Sequence, residues 1–340
     1  MKHVFPALAL GLLLLPGLGR ASDGFLLIAN KSDDTVDLVD LSSGKPVKRL
    51  ETGKAPHEVA VSRDNRLAVV ANYGQANGNT LTLVDLGSRE ISQTISTAGH
   101  RGPHGVVWYQ DGFLVTAEAG RELLQFDARG NLEQVIKTGQ SVSHMVAVTP
   151  AGQRAFVANI GSGSVTAIDL VLGEKLGDIR TGRGAEGIAV SPDGAEVWVT
   201  NRDAVTVSVI EVASLRKVAD IKVTSFPIRA EVTPDGTWVL VSAAGSGEVV
   251  LIDRKGRQIV RRAGLDLSTS TDRSGRLFAN RFSQSPVPIG IEIDPDGSRF
   301  WVAATRSDVV VEMSLPDLTV QRVIQAGRQP DGMAFAGSLE

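Results

Sequence analysis

Hydrophobic positions along this chain come in short runs of β-branched and aromatic residues, punctuated by turns and Gly-rich loops. Ser191-Pro192-Asp193-Gly194, Thr233-Pro234-Asp235-Gly236 and Asp294-Pro295-Asp296-Gly297 are turn signals, because Pro presets one turn position and Gly accepts the left-handed one that follows. Thr149-Pro150-Ala151-Gly152 and Ser62-Arg63-Asp64-Asn65 are weaker copies. Each turn leads into a strand-like run, such as Ala155-Phe156-Val157-Ala158-Asn159 or Val197-Trp198-Val199-Thr200-Asn201. A polar loop, an alternating strand ending near Asp and a fourth strand complete the unit, as in Ser164 to Ile179.

The unit recurs about every forty residues. Asp40, Asp85, Asp127, Asp169, Glu211 and Asp253 hold the same place in successive copies, and Glu312 holds it after an insertion. Four strands per copy without an intervening helix predict propeller blades. The ends predict ring closure. Residues 25–50 supply strands two to four of a copy, and Gly332-Met333-Ala334-Phe335 reads as a lone first strand. Joining them completes a seventh blade and removes two exposed edges. The expected fold is therefore all-β: a single seven-bladed propeller of four-stranded antiparallel blades over residues 22–340, with an insertion of about twenty residues at 264–285. That insertion should lie on the channel-mouth face, as a binding loop or a tolerated surface excursion.

Residues 1–21 read as a cleaved secretory signal peptide: a polar start, the apolar run Val4 to Leu15, then Gly19-Arg20-Ala21. The run is too short to span a membrane comfortably, and no later segment reaches that length without charges. A periplasmic or secreted protein is expected. It has no Cys, hence no disulfide, thiolate metal site or Cys-attached haem. The formal net charge of −3 becomes two units more negative when Lys2 and Arg20 leave with the leader, which argues against nucleic acid as partner. A closed ring has no edge that demands a partner, so a monomer is expected.

Val70-Ala71-Asn72-Tyr73, Val157-Ala158-Asn159-Ile160 and Val199-Thr200-Asn201-Arg202 look like a Tyr-Val-Thr-Asn signature. On these motifs the chain resembles the YVTN-repeat, YncE-like family of exported propellers over residues 24–337. The resemblance implies the fold but no reaction, since relatives include lactonases and cofactor-bearing respiratory enzymes.

Candidate chemistry lies where the innermost strands open. Aligned by their turns, those positions are His57, His104, His144, Glu186, Ile228, Ile289 and Asp331. Three of the four His left after the leader stand on consecutive blades of this ring. Neutral imidazoles converging there suit Zn or Cu, with Glu186 and Asp331 continuing the ring. Glu118, read as standing where other copies carry Asn, is a candidate acceptor behind His104 or His144. His100 is a candidate fourth ligand or a surface residue. The alternative is structural: His inherited between copies and bonded only to water or loops. A second set is basic. Lys54, Arg101, Arg183 and Arg328 precede the ring, and Arg202 follows a second strand. They form a candidate collar for a small anionic ligand. No nucleophile elbow or phosphate cradle is present. The reading is a binding or scaffold protein that holds a ligand, metal or protein partner at the channel mouth. The alternatives are a Zn- or Cu-dependent periplasmic enzyme using the three His, or a lactonase-like hydrolase by kinship.

Overall fold

The computed structural model describes residues 23–338 apart from 268–275, 277, 279–280 and 283–284. The expected leader therefore lies outside the described residues, as does much of the expected insertion. Among the described residues, 28 strands form seven four-stranded antiparallel sheets, with one short 3-10 turn at Gly74–Ala76. The sheets ring a central channel as propeller blades. In the closing blade, Pro330–Gly337 lies innermost against Gly24–Asn30, with Leu26 opposite Phe335 and Leu27 opposite Ala334.

Polarity rises outward within each blade, as the sequence dictates. Second strands such as Leu67–Asn72 and Arg154–Asn159 are buried beyond their first residue and fill the spaces between blades. Outer strands such as Lys45–Glu51 and Glu174–Arg180 bury one apolar residue each, Leu50 and Ile179. Their remaining positions are polar or half-exposed, which blunts the outward edge against further pairing. The recurrent acidic residue closing strand three organises the next turn. Asp40 Oδ1 accepts from the Ser43 amide at 2.7 Å, and Asp85 Oδ1 from the Ser88 amide at 2.8 Å.

The signature Asn binds inside its own blade. Asn72, Asn159 and Asn201 donate to Thr82, Thr166 and Ser208 at 3.0, 3.0 and 2.8 Å. In four of the seven blades a hydroxyl on strand two, or just after it, also ties the blade to the next inner strand. Thr116 Oγ1 donates to the His144 carbonyl at 2.6 Å, Thr200 to Ile228 at 2.8 Å, Ser242 to Ile289 at 2.7 Å and Thr305 to Pro330 at 2.6 Å. Four of the innermost strands, those carrying His144, Ile228, Ile289 and Pro330, are thereby held to the neighbouring blade. Among the described residues no helix is long and apolar enough to cross a membrane.

Candidate metal and ligand site at the channel mouth

One backbone device aims the ring in all seven blades. Two residues before each ring position the chain turns left-handed: Ala55, Gly102, Val142, Gly184, Phe226, Val287 and Gln329 have φ between 49° and 75°. Five of these are not glycine, and left-handed Val142 and Val287 are strained by their branched Cβ. The carbonyl of each turn accepts the amide that follows strand two, for example Tyr73 to Ala55 at 3.1 Å and Arg202 to Gly184 at 2.9 Å. Two registers thus meet at the mouth. One opens the innermost strands. The other follows strand two and comprises Lys31, Tyr73, Glu118, Ile160, Arg202, Ala244 and Thr305.

This register corrects one reading of the sequence. Ala117, opposite Pro103, takes the place that Asn72 takes opposite Pro56, so Glu118 is the counterpart of Tyr73 and Arg202 and not of the signature Asn. One step beyond strand two, its carboxylate reaches the mouth.

The three ring His lie side by side. His57 and His104 have ring centroids 4.8 Å apart, and His104 stacks on His144 at 3.6 Å. His144 Nδ1 sits 2.5 Å from Glu118 Oε1, and its Nε2 faces Glu186 at 3.6 Å. Tyr73 donates to the other Glu118 oxygen at 2.6 Å. His57 Nδ1 is 2.8 Å from the Ala55 carbonyl, which makes it the protonated nitrogen and leaves Nε2 as an acceptor. His104 Nδ1 is buried without a hydrogen-bond partner.

Environment divides these imidazoles. Burial, aided by Lys31, holds His57 down to about 3. Burial and the neighbouring His144 and His57 keep His104 well below its ordinary value. Burial also opposes charge on His144, but Glu118 and Glu186 overcome it and raise it to about 9. A neutral His104 therefore stacks on a charged His144. Burial works against the charge of Glu186 too, yet His144 and Arg202 hold its pKa below the usual range.

His104, Glu118 and His144 each offer one ligand atom within 4.8 Å of the others, and all three are buried, so this group could hold a metal ion. His57 is the next imidazole along. Asp331 turns instead to Lys31 at 3.1 Å, and Glu186 binds Arg202 at 2.9 Å. His100 sits 2.5 Å from Glu122, away from the ring. The basic set does not form one collar. Lys54 and Arg328 line a vestibule of about 990 Å³ with Lys31 and Arg276, whereas Arg202 lines an inner cavity of about 150 Å³. Arg101 and Arg183 are exposed and line neither. From the insertion, Arg276 and Phe278 reach the vestibule, and Phe278 also lines the inner cavity.

Beneath the His lies a layer the sequence reading passed over. One residue further along the inner strands stand Gly332, Glu58, Gly105, Met145, Gly187, Arg229 and Gly290 in ring order. The glycines allow close strand approach: a Cβ on Gly332 would fall 2.3 Å from the His57 carbonyl oxygen, and one on Gly187 2.2 Å from that of Ile228. Glu58 and Arg229, on non-adjacent blades, pair directly across the channel. Lys31 and Tyr73 were also unforeseen, although they share the register of Arg202.

No curated protein matches the chain. Two solved structures share its fold. A hydrazine synthase chain from Kuenenia stuttgartiensis is 17% identical, with a TM-score of 0.71, over 86% of this chain and 93% of that one. A functionally unknown protein from Desulfotomaculum acetoxidans is 12% identical, with a TM-score of 0.77, over 92% and 99%. The YncE-like beta-propeller family model matches residues 110–244. With seven four-stranded blades the chain is a seven-bladed β-propeller, and over residues 110–244 it is similar to the YncE-like β-propeller family.

Proposed function

We propose that this propeller is an exported binding protein whose channel mouth holds a divalent transition metal, of the zinc or copper class, on His104, Glu118 and His144. The observation that carries the reading is the close grouping of their ligand atoms, within 4.8 Å, at a buried position. Ligand atoms around a tetrahedral ion stand about 3.3 Å apart, so side-chain adjustment of about an ångström would close the set. Nitrogen and carboxylate donors without thiolate suit zinc or copper(II) better than softer ions. His57, with Nε2 left as an acceptor, is the nearest further imidazole, and the inner cavity leaves room for water or a ligand at an open position. Export is supported by the leader-like residues 1–21.

The test is titration of chelator-treated protein with Zn²⁺ and Cu²⁺. One equivalent is expected to bind, and His144→Ala should weaken it by about 100-fold or more. Equal binding by the wild type and the variant would place any metal elsewhere.

A further inference from the structure

The inner cavity is walled by charges that are only partly matched. Lys31 pairs with Asp331 Oδ2, Arg202 with Glu186 and Arg229 with Glu58. Four buried side-chain atoms of its lining residues are left without a hydrogen-bond partner, His104 Nδ1, Arg202 Nε, Arg229 Nη1 and Asp331 Oδ1, the last of them the one anionic acceptor. Of these, Asp331 Oδ1 and Arg229 Nη1 belong to residues only 3% and 4% exposed. Both residues line the same cavity of about 150 Å³. One atom is an anionic acceptor and the other a cationic donor. A buried polar atom without a partner is destabilising, so an unmatched pair of opposite kind is shaped for a molecule that both gives and takes a hydrogen bond.

The cavity is closed below and open above. Glu58, Met145 and Arg229 occupy the next layer, spaced by Gly332, Gly105, Gly187 and Gly290, and the Glu58–Arg229 pair crosses the lumen. Arg229 lines both this cavity and a lower one of about 440 Å³. Above, the vestibule is lined by Lys31, Lys54, Arg276 and Arg328, of which the first three pair with Asp331, Asp34 and Asp308. At about 30 Å³ per water, the cavity has room for about five water-sized groups. Ile228 and Ile289 wall it on one side.

We infer that the inner cavity binds a small carboxylate bearing a hydrogen-bond donor on its α-carbon, of glycolate or glycine size, with the carboxylate on Arg229 Nη1 and the donor on Asp331 Oδ1. The site shares the mouth with the proposed metal but does not rest on it, because neither residue belongs to the His104–Glu118–His144 group.

The experiment is calorimetric titration of the chelator-treated full chain with glycolate, glycine and acetate, beside a parallel titration with Zn²⁺ that tests the metal reading separately. Glycolate or glycine should bind one to one, and whichever binds identifies the donor. Acetate, which leaves Asp331 Oδ1 unmatched, should bind at least about tenfold more weakly. The double variant Glu58→Gln/Arg229→Gln removes both charges of the cross-channel pair together and should lose binding by at least about tenfold. Should it not fold, Ile289→Phe, which only fills the cavity, must abolish binding. The inference is overturned if acetate matches glycolate and glycine, if a folded variant binds like the wild type, if binding appears only with metal present, or if no probe binds up to about 10 mM.

Discussion

Glu118 Oε1 lies 2.5 Å from His144 Nδ1 across the boundary between two blades, and the same carboxylate accepts the Tyr73 hydroxyl from the blade on its other side. One acid therefore ties three consecutive blades together at the point where the ring His gather. Its loss should be felt in metal affinity more than in folding. Glu118→Gln is expected to keep the hydrogen-bonded frame but to weaken Zn²⁺ binding by about 10- to 100-fold, read by competition with a chelating dye. An unchanged affinity would mean that Glu118 is only a structural tie.

Metal binding should depend on pH with a defined sign. His144, held up at about 9 by Glu118 and Glu186, carries a proton at neutral pH that an incoming ion must displace. His104 is already neutral. The apparent affinity should rise between about pH 6 and pH 8, with up to one proton released per ion, a slope near tenfold per unit. Titration in buffers of different ionisation enthalpy measures that proton. No release would show that His144 is not a ligand.

The far end of the channel offers an independent pH test. Burial, with Glu292 nearby, raises Glu231 to about 8, and burial raises Glu292 to about 7. A carboxyl whose folded pKa is raised favours the fold fully below its unfolded value near 4.5, and that support is lost as pH climbs through the folded value. Glu231→Gln should therefore be more stable than the wild type at about pH 9 and indistinguishable at about pH 4. Water reaching this end should keep the difference to about 1–2 kcal/mol, well short of the full shift. Denaturant melts at the two pH values decide it.

The left-handed turns before the ring predict a contrast between two small substitutions. Ala55 has φ 49°, so Ala55→Gly should be neutral or stabilising by up to about 1 kcal/mol. Gly184 has φ 75°, and an added Cβ would sit 2.7 Å from Arg202 Cγ, so Gly184→Ala should destabilise by about 1 kcal/mol or more. Thermal melts measure both, and equal effects would contradict the role given to these turns.

How far the site was legible follows from register. The blades and the ring of His57, His104, His144, Glu186 and Asp331 can be read because each ring position sits at a fixed distance from a turn with its own chemistry. Glu118 was found but misplaced by one residue, since its blade carries Ala117 where a signature Asn would mark the register. Glu58 and Arg229 were passed over. Their signal was present, because most copies carry Gly at that register and these two carry charge. Their pairing was not legible, because it joins residues 171 positions apart across a channel that exists only once the ring has closed. The basic residues do not gather at one cavity for a physical reason: Arg202 pairs with Glu186, and Arg101 and Arg183 are exposed and line neither mouth cavity.

The most direct test of the metal site is the metal content of the chain expressed with its own leader and purified without a tag or chelator. The account predicts close to one zinc or copper per chain, lost in the His104→Ala/His144→Ala double variant. A folded wild-type protein that carries no metal and takes up none from excess Zn²⁺ or Cu²⁺ would contradict it.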